Sequence, residues 1–255
     1  MTDALSHLPA AASLLGVALA ALAGGLSRGF SGFGAALVFV PLASAAIGPR
    51  EAVPVLGLME SVACLAFLPG AWRDGTRAEA GTMAAGAVLG VPLGVFVLAT
   101  ADPVILRWVL CAVVFGAVAL LGSGWRWRGR PRPALTAAVG GVGGVMSGAA
   151  MLGGVAPATY WLGAAGTAAR TVRANMNLYF AALTFFVMLG FAWQGLLTGR
   201  TAWFALAAGP VYGLGLWAGS RLFWLASERV FRLVAYGMIL ASALFGLPLW
   251  DGVLR

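Results

Sequence analysis

The sequence predicts an all-α polytopic membrane protein, built from two inverted-topology repeats with interrupted or re-entrant helices. Three observations carry that prediction. Of the 255 residues, 61% are hydrophobic and only 9% are charged, whereas a soluble domain carries roughly a quarter charged residues. The apolar residues fall into ten segments, several long enough to cross about 30 Å of hydrocarbon. The second half of the chain then repeats features of the first in the same order.

The segments run in order as follows. The first, 10–26, is preceded by Asp3 rather than by a basic stretch, so it reads as a retained helix and not as a cleaved signal. It leads into the break GGLSRGFSGFG (24–34), and a short second segment follows at 35–48. Segments 52–71, 81–100 and 104–122 each approach the roughly 20 apolar residues of a comfortable span. The polar loop GWRWRGRPRP (124–133) separates them from 135–151, which contains the second break, GGVGGVMSGAAMLGG (140–154). A short seventh segment, 154–165, follows, and then three long ones at 174–196, 203–224 and 229–247. Glycine in such numbers marks close helix packing, kinks or unwound backbone.

Shifting the chain by 116 residues superposes Gly24, Gly25, Ser31, Gly32 and Pro41 on Gly140, Gly141, Ser147, Gly148 and Pro157. Leu68, Ala71 and Trp72 meet Leu189, Ala192 and Trp193 at a shift of 121, and Gly86 and Gly90 meet Gly209 and Gly213 at 123. Arg107 meets Arg232 at 125. The division expected is an N-terminal repeat (1–123), an Arg-rich linker (124–133) and a C-terminal repeat (134–255).

Arginine placement sets the orientation, because loop charge biases which side a loop occupies. If each short segment crosses back or dips in and returns, one side holds eleven Arg: 73, 77, 126, 128, 130, 132, 170, 173, 221, 229 and 232. The other side holds four: 50, 107, 200 and 255. If each short pair made a single crossing, the split would be eight against seven, without bias. The first arrangement is expected, with residues 124–133 cytoplasmic and both termini periplasmic. Each repeat then crosses an odd number of times, which turns the second copy upside down, the recurring plan of secondary transporters.

Composition excludes much else. All 16 basic residues are Arg, so neither a P-loop nor a Lys Schiff base is possible. One His, His7, leaves no zincin motif, no Ser-His-Asp triad and no bis-His haem. Cys64 and Cys111 lie in apolar runs as small core residues. No enzyme, cofactor, metal or nucleic-acid partner is expected; the four clustered Arg are a topology signal.

GFSGFGAALVFVPLA (29–43) and its second copy MSGAAMLGGVAPATYWL (146–162) resemble the paired signatures of the TauE/SafE family of sulfite and organosulfonate exporters. The family pattern is a glycine cluster followed by an apolar run ending in Pro-Leu. The first copy keeps it through Gly32, Gly34, Pro41 and Leu42, while the second has Ala158 after Pro157. The resemblance spans nearly the whole chain. It implies export of a small sulfur-containing anion, such as sulfite, sulfoacetate or a related sulfonate, across a bacterial inner membrane. A passive anion channel and a non-transporting membrane scaffold or subunit are the alternatives.

An anion crossing a low-dielectric core needs positive potential at mid-depth that can still release it. Half-helix N-termini supply this through unpaired N–H groups and the helix dipole. The two breaks are placed to give such termini, with Ser31, Gly32, Phe33 and Gly34 in one and Ser147 and Gly148 in the other. The same small residues would equally serve close helix packing. Polar residues present in one copy only point to substrate or coupling chemistry. Arg28 aligns with Gly144, Glu60 with Ala181, Asn175 with Pro54 and Asn177 with Leu56. Glu60 falls about 13 Å along a helix from Glu51, near mid-membrane, where a carboxyl is functional by default. It could carry a coupling proton, or pair with Arg28 as a buried structural ion pair; sodium is the other coupling ion to consider. Arg28 suits an oxyanion by its fork geometry, or sits at the cytoplasmic end of its helix. Asn177 could hydrogen-bond sulfonate oxygens, whereas Asn175 reads better as a cap or interhelical tie. Tyr160 and Trp161, inside the short seventh segment, are expected to line a cavity.

Overall fold

The computed structural model describes residues 11–31, 34–125, 127, 129, 131–163, 169–225 and 228–250. These residues are predominantly helical, with no strand among them. The helices are α1 (Ala11–Ser31), α2 (Ala35–Ile47), α3 (Pro49–Asp74), α4 (Arg77–Thr100), α5 (Pro103–Gly122), α6 (Pro133–Ala150), α7 (Val155–Gly163), α8 (Ala169–Trp193), α9 (Gly199–Leu225) and α10 (Glu228–Gly246). A short 3₁₀ turn, Pro248–Trp250, ends the described chain. Among the described residues, α1, α3, α4, α5, α6 and α8 are long and apolar enough to cross a membrane.

That set differs from the expected one in an instructive way. The helix of the first segment does not stop near residue 26 but continues through Gly24, Gly25 and Gly29 to Ser31. Likewise α6 runs through Gly140, Gly141, Gly143, Gly144 and Gly148. Isolated glycines cost a helix about 1 kcal/mol each, so something must offset them, and it is the partner helix. A Cβ at Gly25 would lie 3.0 Å from Leu216 N, and one at Gly29 2.8 Å from Ser220 N. On α6, a Cβ at Gly144 would lie 2.8 Å from Ala87 C, and on α4 one at Gly90 would lie 2.9 Å from Val145 N. Pairs α1·α9 and α4·α6 thus pack backbone to backbone, where van der Waals contact drives association of helices in lipid. The second break shrinks to residues 151–154, and helix flanks the first up to Ser31 and from Ala35. Although α9 has 27 residues, its glycines, Pro210 and Tyr212 dilute its hydropathy.

Contact register gives each helix its direction. Gly16 meets Ala46 and Gly24 meets Phe39, so α2 folds back along α1. Thr136 meets Tyr160 and Gly143 meets Gly153, so α7 folds back along α6. In the central pair, Gly57 meets Met188, Cys64 meets Thr184 and Gly75 meets Leu178, so α3 and α8 are antiparallel. A single crossing by each short pair would make α3 and α8 parallel. Both short segments therefore turn back, as the arginine arithmetic requires. The α1·α9 and α4·α6 packings exchange under a swap of the two halves, and α3·α8 maps on itself. This is consistent with inverted repeats.

The two ends of the bundle are also distinct. At one, Arg200 pairs with Glu51 at 3.1 Å, Arg50 donates to Ala101 O at 3.0 Å, and Arg107 donates to the Gly246 carbonyl at the end of α10. At the other, Arg170 forms a two-pronged pair with Asp74 at 2.9 Å, and Arg132 N meets the Tyr160 hydroxyl. These groupings coincide with the two arginine sets read from the sequence.

Candidate functional site

The α1–α2 hairpin enters from the Arg200 end and the α6–α7 hairpin from the Arg170 end. Their short arms do not span a membrane among the described residues: α2 has 13 residues and α7 nine, about 20 and 14 Å at 1.5 Å per residue. Their tips meet at a cavity lined by Arg28, Ala35 and Ala36 of the first hairpin and by Ser147 and Met151 of the second. Leu56 and Glu60 on α3 and Phe180 and Thr184 on α8 complete its wall. Glu60 lies eleven residues past Pro49 and fourteen before Asp74, about 17 and 21 Å from the two ends of α3. Ser147, fourteen residues into α6, reaches about the same depth from the Arg170 end. The cavity is therefore central. It is also narrow, with room for a water or two.

Its charge sits on one ion pair. Arg28 Nε lies 3.2 Å from Glu60 Oε2, and both side chains are nearly sealed from solvent. The Tyr212 hydroxyl, from α9, donates to the other carboxylate oxygen, Oε1. Phe180 lies under the guanidinium, its ring centroid 4.9 Å from Arg28 Cζ, an arrangement in which the ring face attracts the cation. Beside the pair, Cys64 Sγ and Thr184 Oγ1 approach to 3.9 Å. Breaking such a buried pair by removing one partner leaves an uncompensated charge, at a cost of about 3–5 kcal/mol. The α1·α9 glycine packing explains how Arg28 and Tyr212 come together: each sits beside a backbone contact of the same helix pair.

The other sequence candidates distribute themselves plainly. Arg28, Glu60 and Ser147 converge on the cavity. Gly34, buried, precedes the first turn of α2 with φ −82° and ψ 0°. The side chain of Ser31, together with Gly32 and Phe33, lies outside the described residues. Gly148 packs against α4, where a Cβ would lie 2.7 Å from Val95 N. Tyr160 is drawn to the Arg170 end: its hydroxyl lies 2.7 Å from Thr136 Oγ1 and its ring stacks on Trp127 at 4.7 Å. Trp161 is fully buried, edge-on to Tyr179 at 6.3 Å, and its Nε1 has no hydrogen-bond partner among the described residues. Asn177 is half-buried and is not among the residues lining the cavity. Asn175 accepts from Thr76 N at 2.6 Å, which ties α8 to the first turn of α4. Sequence reasoning missed Tyr212. The signal was available: Tyr212 is twelve residues past Arg200, about 18 Å along a helix, and a hydroxyl at that depth needs a partner.

Met151 adds a strained element. It is a non-glycine residue in the left-handed region, φ 57°, at the end of α6. Such residues persist where the surrounding structure holds them, and they cluster at ligand clamps.

Compared with known proteins, residues 17–246 match the model of a family described as the sulfite exporter TauE/SafE. No curated protein and no solved structure matches the chain. With nearly all of its length matched and its long apolar helices in place, the chain belongs to the TauE/SafE sulfite exporter family of multi-pass membrane transporters.

Proposed function

We propose that the protein is a secondary transporter that exports a small sulfur-containing anion, sulfite, sulfoacetate or a related organosulfonate, across a bacterial inner membrane. The substrate sits at mid-depth, between the tips of the two hairpins. The observation that carries this reading is the meeting of two hairpins, one from each end, at a cavity holding a buried guanidinium. The first turn of α2 contributes its N–H groups and dipole, and Ser147 a hydroxyl. Arg28 supplies the formal charge, and Glu60 carries the coupling proton.

The narrowness of the cavity fits a carrier in an occluded conformation, since an anion the size of sulfite needs the tips to part. Eleven Arg on one side support a cytoplasmic location for that side, with residues 124–133, and a periplasmic one for both termini. Proteoliposomes loaded with sulfite and supplied with radiolabelled sulfite outside test the reading. A carrier shows label accumulating by exchange; a channel shows rapid equilibration without it, and a scaffold shows no uptake.

A further inference from the structure

Resting on that reading of the cavity, we propose that Glu60 and the transported anion compete for Arg28, so that each monoanion bound brings one proton onto Glu60. The charges of Arg28 and Glu60 sum to zero, and no other charged side chain lines the cavity among the described residues. The ionisable neighbours from the packed helices are Tyr212 of α9, a neutral donor, and Cys64 of α3, a thiol beside Thr184. An anion added to an intact pair would leave one negative charge uncompensated in a low-dielectric interior. The arrangement that restores neutrality has Arg28 facing the anion and Glu60 protonated.

The two carboxylate oxygens have different partners, and this makes the exchange feasible without dismantling the site. Oε2 faces Arg28, whereas Oε1 accepts from Tyr212. A proton from water on the open side binds Oε2 as the anion takes its place at the guanidinium. Oε1 still accepts the Tyr212 hydrogen bond, so the neutral carboxyl stays held. Release reverses both steps: the anion leaves, the Oε2–H bond breaks to water, and the ion pair re-forms. Charge within the site is zero before and after. Arg28 and Tyr212 stand on the glycine-packed α1·α9 pair while Glu60 stands on α3, so the exchange acts at the junction between packed units. The sequence counterparts of Arg28 and Glu60 in the other half, Gly144 and Ala181, are uncharged, so the duplicated fold does not require the pair.

A second consequence is charge selectivity. With Glu60 protonated the site carries one net positive charge, which a sulfonate or hydrogen sulfite balances and a dianion such as sulfate exceeds.

Titration calorimetry of the full-length protein with methanesulfonate, in buffers of different ionisation enthalpy, counts the protons taken up per anion. About one proton per anion is expected wherever the empty site holds the intact ion pair, with affinity falling about tenfold per pH unit there. Glu60→Gln should bind with no proton uptake and no such pH dependence, and more tightly than wild type at alkaline pH. Tyr212→Phe, which leaves Arg28 and Glu60 in place, should keep the count near one. Binding by the wild type without proton uptake overturns the exchange while leaving the site intact. Binding unaffected by Arg28→Gln, or no anion binding to the folded wild type, removes the site itself and the exchange with it. Because the proton count is read on the wild type, a misfolded variant does not decide the matter.

Discussion

Two substitutions of the same kind, glycine to alanine, should move stability in opposite directions. On α6, a Cβ at Gly144 would strike the Ala87 carbonyl oxygen and lie 2.8 Å from Ala87 C. Ordinary carbon contacts begin near 3.4 Å, so the α4 and α6 backbones must part by about 1 Å to admit one methyl group. The displacement is shared by the neighbouring contacts Gly86–Ala137, Gly90–Gly141 and Gly94–Val145, and overpacking of this kind costs about 1–3 kcal/mol. On α4 itself, Gly81 has nothing within 4 Å of a new Cβ. There alanine removes a helix penalty of about 0.5–1 kcal/mol. The pair should therefore differ by about 2–4 kcal/mol, or about 5–15 °C in Tm for a chain of this size. Thermal unfolding in detergent, followed through the 10 tryptophans, reads it directly. Equal midpoints for Gly144→Ala and Gly81→Ala, or a Gly144→Ala midpoint at or above wild type, would refute backbone-to-backbone packing of α4 and α6.

Other expectations follow from single contacts. Asn175→Ala removes the acceptor for Thr76 N and should cost about 1 kcal/mol, with faster amide exchange confined to the first turn of α4; exchange unchanged there contradicts the tie. Asp74→Asn breaks a pair whose Arg170 side chain is 79% exposed, so it should shift stability by less than about 1 kcal/mol; a larger loss would mean the pair has a role beyond the surface. Arg200→Cys and Asp74→Cys should react with a membrane-impermeant thiol reagent from opposite faces of sealed vesicles, against the low background of buried Cys64 and Cys111; labelling from one face alone contradicts the assignment of ends. Ser147→Leu fills the cavity from the second hairpin and should abolish thermal stabilisation by methanesulfonate, while retained stabilisation excludes Ser147 from the site.

Much of this is legible in the sequence. Composition fixed the membrane class, and the position of Arg along the chain required both short segments to turn back, which the antiparallel α3·α8 register bears out. Arg28 and Glu60 stand out by asymmetry between the halves, Glu60 also by its depth along a helix, and Ser147 by the glycine-rich break that recurs in both halves. The glycine-rich stretches were harder to read. Composition alone cannot distinguish unwound backbone from a helix zipped against another, because the deciding partner, α9, lies about 190 residues from α1 in the chain. The repeat comparison also misled in detail. Gly209 and Gly213 align with Gly86 and Gly90, yet they face open space, and the packing role on α9 falls to Gly215 and Gly219. Tyr160 and Tyr212 show the same limit. Both are hydroxyls in helices, and only the contacts assign Tyr160 to Thr136 and Trp127 and Tyr212 to Glu60.

The central claim is that the anion binds between the hairpin tips, at mid-depth, against Arg28. Selenite, the heavier analogue of sulfite, can be located in a crystal by its anomalous scattering. The account predicts a selenium peak in the cavity between Arg28, Ala35 and Ser147, with an oxygen within hydrogen-bond distance, about 3 Å, of the guanidinium. Selenium peaks confined to the arginine-rich ends, with the Arg28–Glu60 pair intact and the cavity empty of selenium at saturating selenite, would contradict it.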